Sequence, residues 1–323
     1  MSRTGEFDFI AQYLAPLSAG YDGAFGLTDD AAVLAGEPGY VITTDTLVQG
    51  RHFRMLEAWD LVARKAIRVN LSDLAAMGGR PHAIMLSITW PESVSDVRMQ
   101  RFAEGLKTDL EAFDIPLIGG DTTRGGELLV VTVTAIGTAA CPLRRSGGQA
   151  GHNVYVSGTI GDATLGLEAD RLTVLTGVHR AIVEDRYLLP TPRLALAAGL
   201  EGLANAAIDV SDGLVADAGH LARASGFKLE LEIGKIPLSS AASTWMRIQP
   251  DQNEALIKLA TGGDDYELLF SAAPEKHDDI LAAAKRSGDK VTRIGRLVEG
   301  EGVEVRAANG EILQILRAGF THF

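Results

Sequence analysis

The order of apolar and polar positions divides the chain into short strands and amphipathic helices. "AAVL" and "YVITTDTLV" read as strands. Over residues 57–77, Leu61, Val62, Ala66, Ile67, Leu71, Leu74 and Ala75 recur at helical spacing until "GGRP" stops the pattern. "HAIMLSITW" reads as a strand, residues 95–114 as a second helix, and "ELLVVTVTAIGTA" as a long strand. Between that helix and that strand lies "PLIGGDTTRGGELLV", read as a short apolar strand, a glycine-rich loop and a return strand. Beyond the polar, glycine-rich break "RRSGGQAGH", the segments "NVYVSG", "AAIDVSDGL", "KLELEI", "YELLFSA" and "KVTRIGRL" alternate with helical stretches. The pattern predicts an α+β protein of two α/β-type domains, residues 1–149 and 150–323.

Composition removes several classes. A chain of 323 residues, 46% hydrophobic, can bury two ordinary cores. The first twenty residues hold acids and no long apolar run, and no stretch reaches membrane-spanning length, so a cytoplasmic protein without a membrane partner is expected. Cys141 is the sole cysteine, which excludes an internal disulfide and a cysteine-based zinc cluster. Thirty basic residues against 42 acidic ones give a formal charge of −12, so nucleic acid is not an expected partner and any phosphate ligand must be met locally.

The acids occupy unusual places. Asp29 and Asp30 precede "AAVL", Asp45 lies within a strand, Asp73 interrupts the apolar helix, and Asp121 follows two glycines. Asp209 and Asp212 sit in "AIDVSDGL"; Asp264, Asp265 and Glu267 cluster in "TGGDDYELLF". Singly, each has an ordinary reading: Asp212 as a helix cap in "SDG", Asp73 as a partner of Arg68 or Arg80, Asp45 as a strand-end turn residue. The glycine loop reads either as a plain turn or as a site where a cation lies between Asp121 and an anion. Collectively, charges inside apolar patterns are costly unless compensated, and hard oxygen donors without histidine or cysteine clusters suit Mg²⁺.

In order along the chain, "TDDAAVL", "TTDTLVQGRHF", "IRVNLSDLAAMGG", "LIGGDTTRG", "RSG", "IDVSDGL" and "GGDDYELLF" resemble the thiamine-monophosphate kinase family, within the superfamily of aminoimidazole ribonucleotide synthetase. The resemblance covers practically the whole chain. It implies an ATP-dependent kinase acting on thiamine monophosphate, with ATP and several Mg²⁺ ions in a cleft between domains. It also implies a homodimer whose N-terminal domains pair into a β-barrel-like core. "YVITTDTLV" and "ELLVVTVTAIG", apolar on both faces and too long to be left as open edges, are the expected interface strands. By position, the resemblance assigns Asp30, Thr43, Thr44, Asp45, Asp73, Asp121, Asp209 and Asp212 to metal, and Gly120, Asp121, Arg145 and Ser211 to the nucleotide. His52, Asp264 and Phe320 fall to the acceptor, and Asp45, Asp121 and Arg145 to catalysis. The chain departs from the family at Thr28, where a glycine is usual, and at Asp264, where "GGDD" replaces "GGED". A Mg²⁺-dependent phosphatase and a nucleotide sensor without turnover are the rival classes.

Overall fold

The computed structural model describes residues 10–320 apart from 19, 35, 37 and 38. Among them the chain forms two mixed sheets with helices against their faces. The first sheet contains β1 (Ala32–Leu34), β2 (Gly39–Val48), β3 (Arg80–Trp90), β4 (Leu117–Arg124) and β5 (Val130–Ala139), in the order β1-β2-β5-β3-β4. Helices α1 (Trp59–Ala76) and α2 (Asp96–Phe113) cover one of its faces. The α1 residues Val62, Ala66, Ile67 and Leu74 pack there on Val41, Leu47, Ile84, Leu86, Val131 and Val133.

Register fixes which side chains share a face. Asp45 pairs with Val133, Val133 with Leu86, and Leu86 with Gly120. Because side chains alternate, this row faces the helices, whereas the next row of Thr46, Thr132, Ser87 and Asp121 faces away.

One expectation is corrected. Gly119, Gly120 and Asp121 do not form a loop: they lie inside β4, which runs parallel to β3, and the turn comes after Arg124. Gly120 has φ of 145°, and a Cβ there would stand 1.8 Å from Leu86 O. Close pairing with β3 requires this glycine. Gly120→Ala is therefore expected to cost about 2–3 kcal/mol or more, read as a lower midpoint in urea unfolding. The strands "YVITTDTLV" and "ELLVVTVTAIG" pair with each other from Gly39↔Ala139 to Val48↔Val130, and β3 takes the other edge of "ELLVVTVTAIG". The open edges are β4, exposed along its length, and residues 43–48 of β2, because β1 pairs only with Tyr40, Val41 and Ile42.

The second sheet contains β6 (Asn153–Ser157), β7 (Ala206–Asp209), β8 (Lys228–Glu232), β9 (Leu268–Ala272), β10 (Val291–Val298) and β11 (Val303–Arg306), in the order β11-β8-β10-β6-β9-β7. Its helices are α3 (Asp162–Leu167), α4 (Val178–Leu188), α5 (Leu194–Gly199), α6 (Leu214–Ser225), α7 (Ser240–Arg247), α8 (Gln252–Thr261) and α9 (His277–Ser287). One face packs on Leu214, Ala218 and Leu221 of α6. The other packs Tyr155, Leu268 and Phe270 against α5, α9 and Ala75 and Ala76 of α1. Helix α1 thus touches both sheets and sets one against the other. No helix among the described residues is long and apolar enough to cross a membrane.

Candidate active site

The stripe of α1 that faces both sheets is interrupted by Lys65, Asn70, Ser72 and Asp73, and each has a partner, as polar groups in a core require. Asn70 Oδ1 accepts from the Asp45 amide at 3.1 Å, and Asn70 Nδ2 donates to Ala66 O at 2.9 Å, so the helix holds the open edge of β2. Ser72 Oγ donates to Asp209 Oδ2 at 2.7 Å and fixes the end of β7. Asp73 Oδ2 accepts from Thr43 Oγ1 at 2.6 Å. Arg68, one of its expected partners, is instead committed to the buried Asp109 at 2.5 Å.

These bonds gather Asp30, Asp73 and Asp209, whose carboxylate oxygens lie within 4.8 Å of one another. Asp30 Oδ1 accepts from Arg145 Nη2 at 2.5 Å, and Asp29 Oδ1 from the Arg145 amide at 2.6 Å. Asp30 Oδ2 is buried without a hydrogen-bond partner. Burial raises the pKa of Asp30, and lifts those of Asp73 and Asp209 well above the usual carboxylate range. Repulsion adds to burial, from Asp45, Asp209 and Asp30 on Asp73 and from Asp30 and Asp45 on Asp209. For Arg145, burial acts against the charge, yet the adjacent Asp30 outweighs it and the net shift is upward. An orphaned carboxylate oxygen beside two others, all destabilised by mutual repulsion, fits a hard divalent cation.

The acids open into a cleft of about 810 Å³. Asp30, Thr43, Thr44, Asp45, Asp73, Arg145, Asp209, Ser211 and Asp212 line it together with His52, Asp264 and Phe320. The Thr44 hydroxyl is bonded to Val133 O and Thr134 Oγ1, each at 3.1 Å. The "SDG" turn is capped by Asp217, whose Oδ2 accepts from the Asp212 and Gly213 amides at 3.1 Å, so Asp212 is not the capping residue. Gly120 and Asp121 are not brought in. Strand β4 lies three strands from β2, about 14 Å at the usual strand spacing, and Asp121 faces away from the helices.

Elsewhere in the cleft lining, His52 Nδ1 accepts from the Val48 amide at 2.9 Å, which leaves the ring proton on Nε2. The "GGDDYELLF" loop is clamped to the end of β7 by Asp264 N to Ser211 O at 2.8 Å and Tyr266 N to Val210 O at 2.7 Å. Gly263 permits this approach, because a Cβ there would stand 2.4 Å from Ser211 O. The clamp holds Asp264 and Tyr266 at positive φ, 72° and 49°, and turns adjacent acids in opposite directions. Asp264 faces the cleft, where its Oδ2 accepts from Lys65 Nζ at 2.9 Å and its Oδ1 from the Tyr266 hydroxyl at 3.3 Å. Asp265 turns inward to the Gly161 amide at 2.8 Å, and buried Glu267 is held by Ser157, Arg186 and Arg193. The C-terminal segment completes the wall, with Phe320 N donating to Asp212 O at 2.9 Å.

Sequence reasoning missed Lys65, Asn70, Ser72 and Asp217. Their signal was polar residues interrupting the apolar stripes of α1 and α6, of which Asp73 alone was read.

Comparison with known proteins bears on the whole chain. Residues 28–139 match the AIR synthase related protein, N-terminal domain, and residues 149–308 the corresponding C-terminal domain. The thiamine-monophosphate kinase of Caulobacter vibrioides is 45% identical over 302 residues, 92% of this chain and 85% of that protein. The chain belongs to the thiamine-monophosphate kinase family. The thiamine-monophosphate kinase of Escherichia coli K12 is 36% identical, over 99% of this chain and 98% of its own length. A solved structure of AaThiL complexed with AMPPCP and TMP matches 100% of this chain and 99% of its own, with TM-score 0.87 and 32% identity.

Proposed function

We propose that the cleft transfers the terminal phosphoryl group of ATP to thiamine monophosphate, giving thiamine diphosphate. The observation that carries this reading is the buried carboxylate trio with its orphaned Asp30 Oδ2, opening into a cleft of about 810 Å³ in a chain of this family. The AaThiL structure, complexed with AMPPCP and TMP, supports the pairing of a nucleotide with a monophosphate acceptor.

The nucleophile is an oxygen of the acceptor's phosphate, already largely ionised near neutrality because the second pKa of a phosphate monoester is about 6. A strong base is unnecessary. The obstacle is repulsion: two like unit charges about 4 Å apart cost roughly 4 kcal/mol at an effective dielectric near 20, and both reactants carry more than one. Mg²⁺ held by Asp30, Asp45, Asp73, Asp209 and Asp212 would supply the offsetting charge. Arg145, whose main-chain amide is held by Asp29 and whose Nη2 is held by Asp30, adds a guanidinium. Ser211, which lines the same cleft, serves the nucleotide, while His52 Nε2, Asp264 and Phe320 hold the organic half of the acceptor. Residues 1–149 then bind nucleotide and metal and residues 150–323 complete the site, in a cytoplasmic enzyme.

The same reading takes a homodimer. The two open edges of the first sheet, β4 and residues 43–48 of β2, lie on opposite sides of it. Its uncovered face carries Tyr40 and Met85, and β4 exposes Leu117 and Ile118. A twofold arrangement that brings β4 of one copy to the β2 edge of the other closes both edges into a barrel and sets Asp121 beside the partner's β2 edge, whose residues 43–48 line the cleft. Light scattering is expected to give twice the chain mass at micromolar concentration, and a stable monomer would contradict the arrangement.

Incubation with ATP, Mg²⁺ and thiamine monophosphate is expected to yield thiamine diphosphate and ADP. A phosphatase would release phosphate without ATP, and a sensor would bind ATP without turnover. Free thiamine offers only a hydroxyl, and the acids of the cleft are paired for cations, so it is expected to turn over far more slowly. Comparable rates for the two acceptors would sink the reading.

A further inference from the structure

Arg51, in the turn after β2, places its guanidinium over the ring of Phe320, with Cζ 4.6 Å from the ring centroid. Both residues line the cleft beside His52. The contact joins the two halves of the molecule, since Phe320 is anchored through its amide to Asp212 O. An aromatic face is the natural seat of a cation, and here one is already seated. The acceptor proposed above brings a fixed cation of its own, the thiazolium ring, to the wall that Phe320 forms.

Resting on that functional reading, we propose that Arg51 is a specificity-determining residue that stands in for the acceptor's cationic ring. When the acceptor enters, its thiazolium takes the Phe320 face, and the displaced guanidinium pairs with the acceptor's phosphate. Only a ligand carrying both groups replaces the Arg51–Phe320 contact and gives Arg51 a new partner. Free thiamine displaces the guanidinium and offers it nothing. Thiamine is thereby rejected at the binding step, before the chemistry that its hydroxyl is unsuited to. The cation–π contact sets the size of the first effect, and a charge-assisted guanidinium–phosphate pair sets the second. Arg317, which also lines the cleft, donates from Nε to Gly319 O at 3.0 Å and braces the segment that presents Phe320.

The proposal predicts shifts of opposite sign from one substitution. In calorimetric titrations without ATP, Arg51→Met is expected to bind free thiamine about two- to five-fold more tightly than the parent. The same variant is expected to bind thiamine monophosphate about ten-fold more weakly. Arg51 is exposed, so the melting temperature should move by only about 2–4 °C at most. In a Phe320→Leu background the gain for thiamine should vanish, because there is no contact left to displace. If Arg51→Met weakens both ligands together, the residue only braces the wall and the inference falls. Unchanged affinities for both overturn it equally. A parent protein that neither binds nor turns over thiamine monophosphate would remove the functional reading itself, and that result is visible before any variant is made.

Discussion

An Asp73→Asn protein is expected to fold, to melt higher than the parent in metal-free buffer, and to lose phosphoryl transfer. Asparagine keeps the size and an acceptor oxygen for Thr43 Oγ1, so the 2.6 Å bond survives in kind. It deletes one charge from a trio whose oxygens lie within 4.8 Å of one another. Without that charge the trio becomes a weaker seat for the proposed divalent cation, and kcat should fall by about 10²–10³-fold or more, with only partial recovery at high Mg²⁺. Relief of buried repulsion should raise stability by about 1–2 kcal/mol, a melting shift of roughly 2–4 °C per kcal/mol for a chain of this class. The pH dependence carries the same sign. Burial and neighbouring acids place the pKa of Asp73 well above its unfolded value, so the native state binds that proton more tightly than the unfolded chain. The associated stability is complete below the unfolded pKa, about 4, and is lost as pH rises through the folded value. In EDTA the parent's melting temperature should therefore fall with rising pH more steeply than that of Asp73→Asn, and Mg²⁺ should stabilise the parent far more than the variant. Parental turnover in the variant, or equal responses to Mg²⁺, would remove Asp73 from the cation site.

The acids of the site were legible because charge is out of place in an apolar pattern, and that signal is local. Asp73 stands out in the stripe of α1, and Asp209 at the end of a buried strand. Their convergence was not legible: the Ser72–Asp209 bond joins residues 137 apart and depends on α1 lying against both sheets. The β4 segment was misread for a physical reason. Two adjacent glycines signal a turn when only local conformation is weighed, whereas Gly120 is needed to clear Leu86 O across a strand pair. Strand order is likewise non-local: length and hydrophobicity marked β2 and β5 as strands in need of partners, and each supplies one edge of the other while residues 43–48 of β2 keep an open one. In "GGDDYELLF" the sequence offered three acids without choosing among them. The positive φ values at Asp264 and Tyr266 make the choice, sending Asp264 to the cleft and Asp265 and Glu267 into buried bonds. The Lys65 partner of Asp264 also changes how that residue should be tested, because alanine would strand a buried ammonium whereas asparagine keeps an acceptor for it.

The second large effect is expected at Asp121, and its distinctive feature is that it can be repaired from another chain. Alone, Asp121→Asn should lower kcat by about 10²–10³-fold while leaving the melting temperature nearly unchanged, because the residue is exposed on an edge strand and faces away from the core. Asp45 and Gly120 stand at one level of the sheet with two strands between theirs, so within one chain β4 lies about 14 Å from β2. A site containing both Asp121 and the trio therefore draws Asp121 from the second copy in the proposed dimer. Mixing Asp73→Asn with Asp121→Asn under conditions that exchange subunits then becomes decisive. A heterodimer has one site with neither lesion, formed by the trio of the Asp121→Asn chain and the intact Asp121 of its partner. With half the dimers mixed and one of two sites restored in each, activity should recover to about a quarter of the parent's. If Asp121 acted within its own chain, every site in the mixture would carry a lesion and no activity would return. Recovery on mixing, measured as thiamine diphosphate formed from two inactive preparations, would place Asp121 across the interface and make the dimer part of the active site.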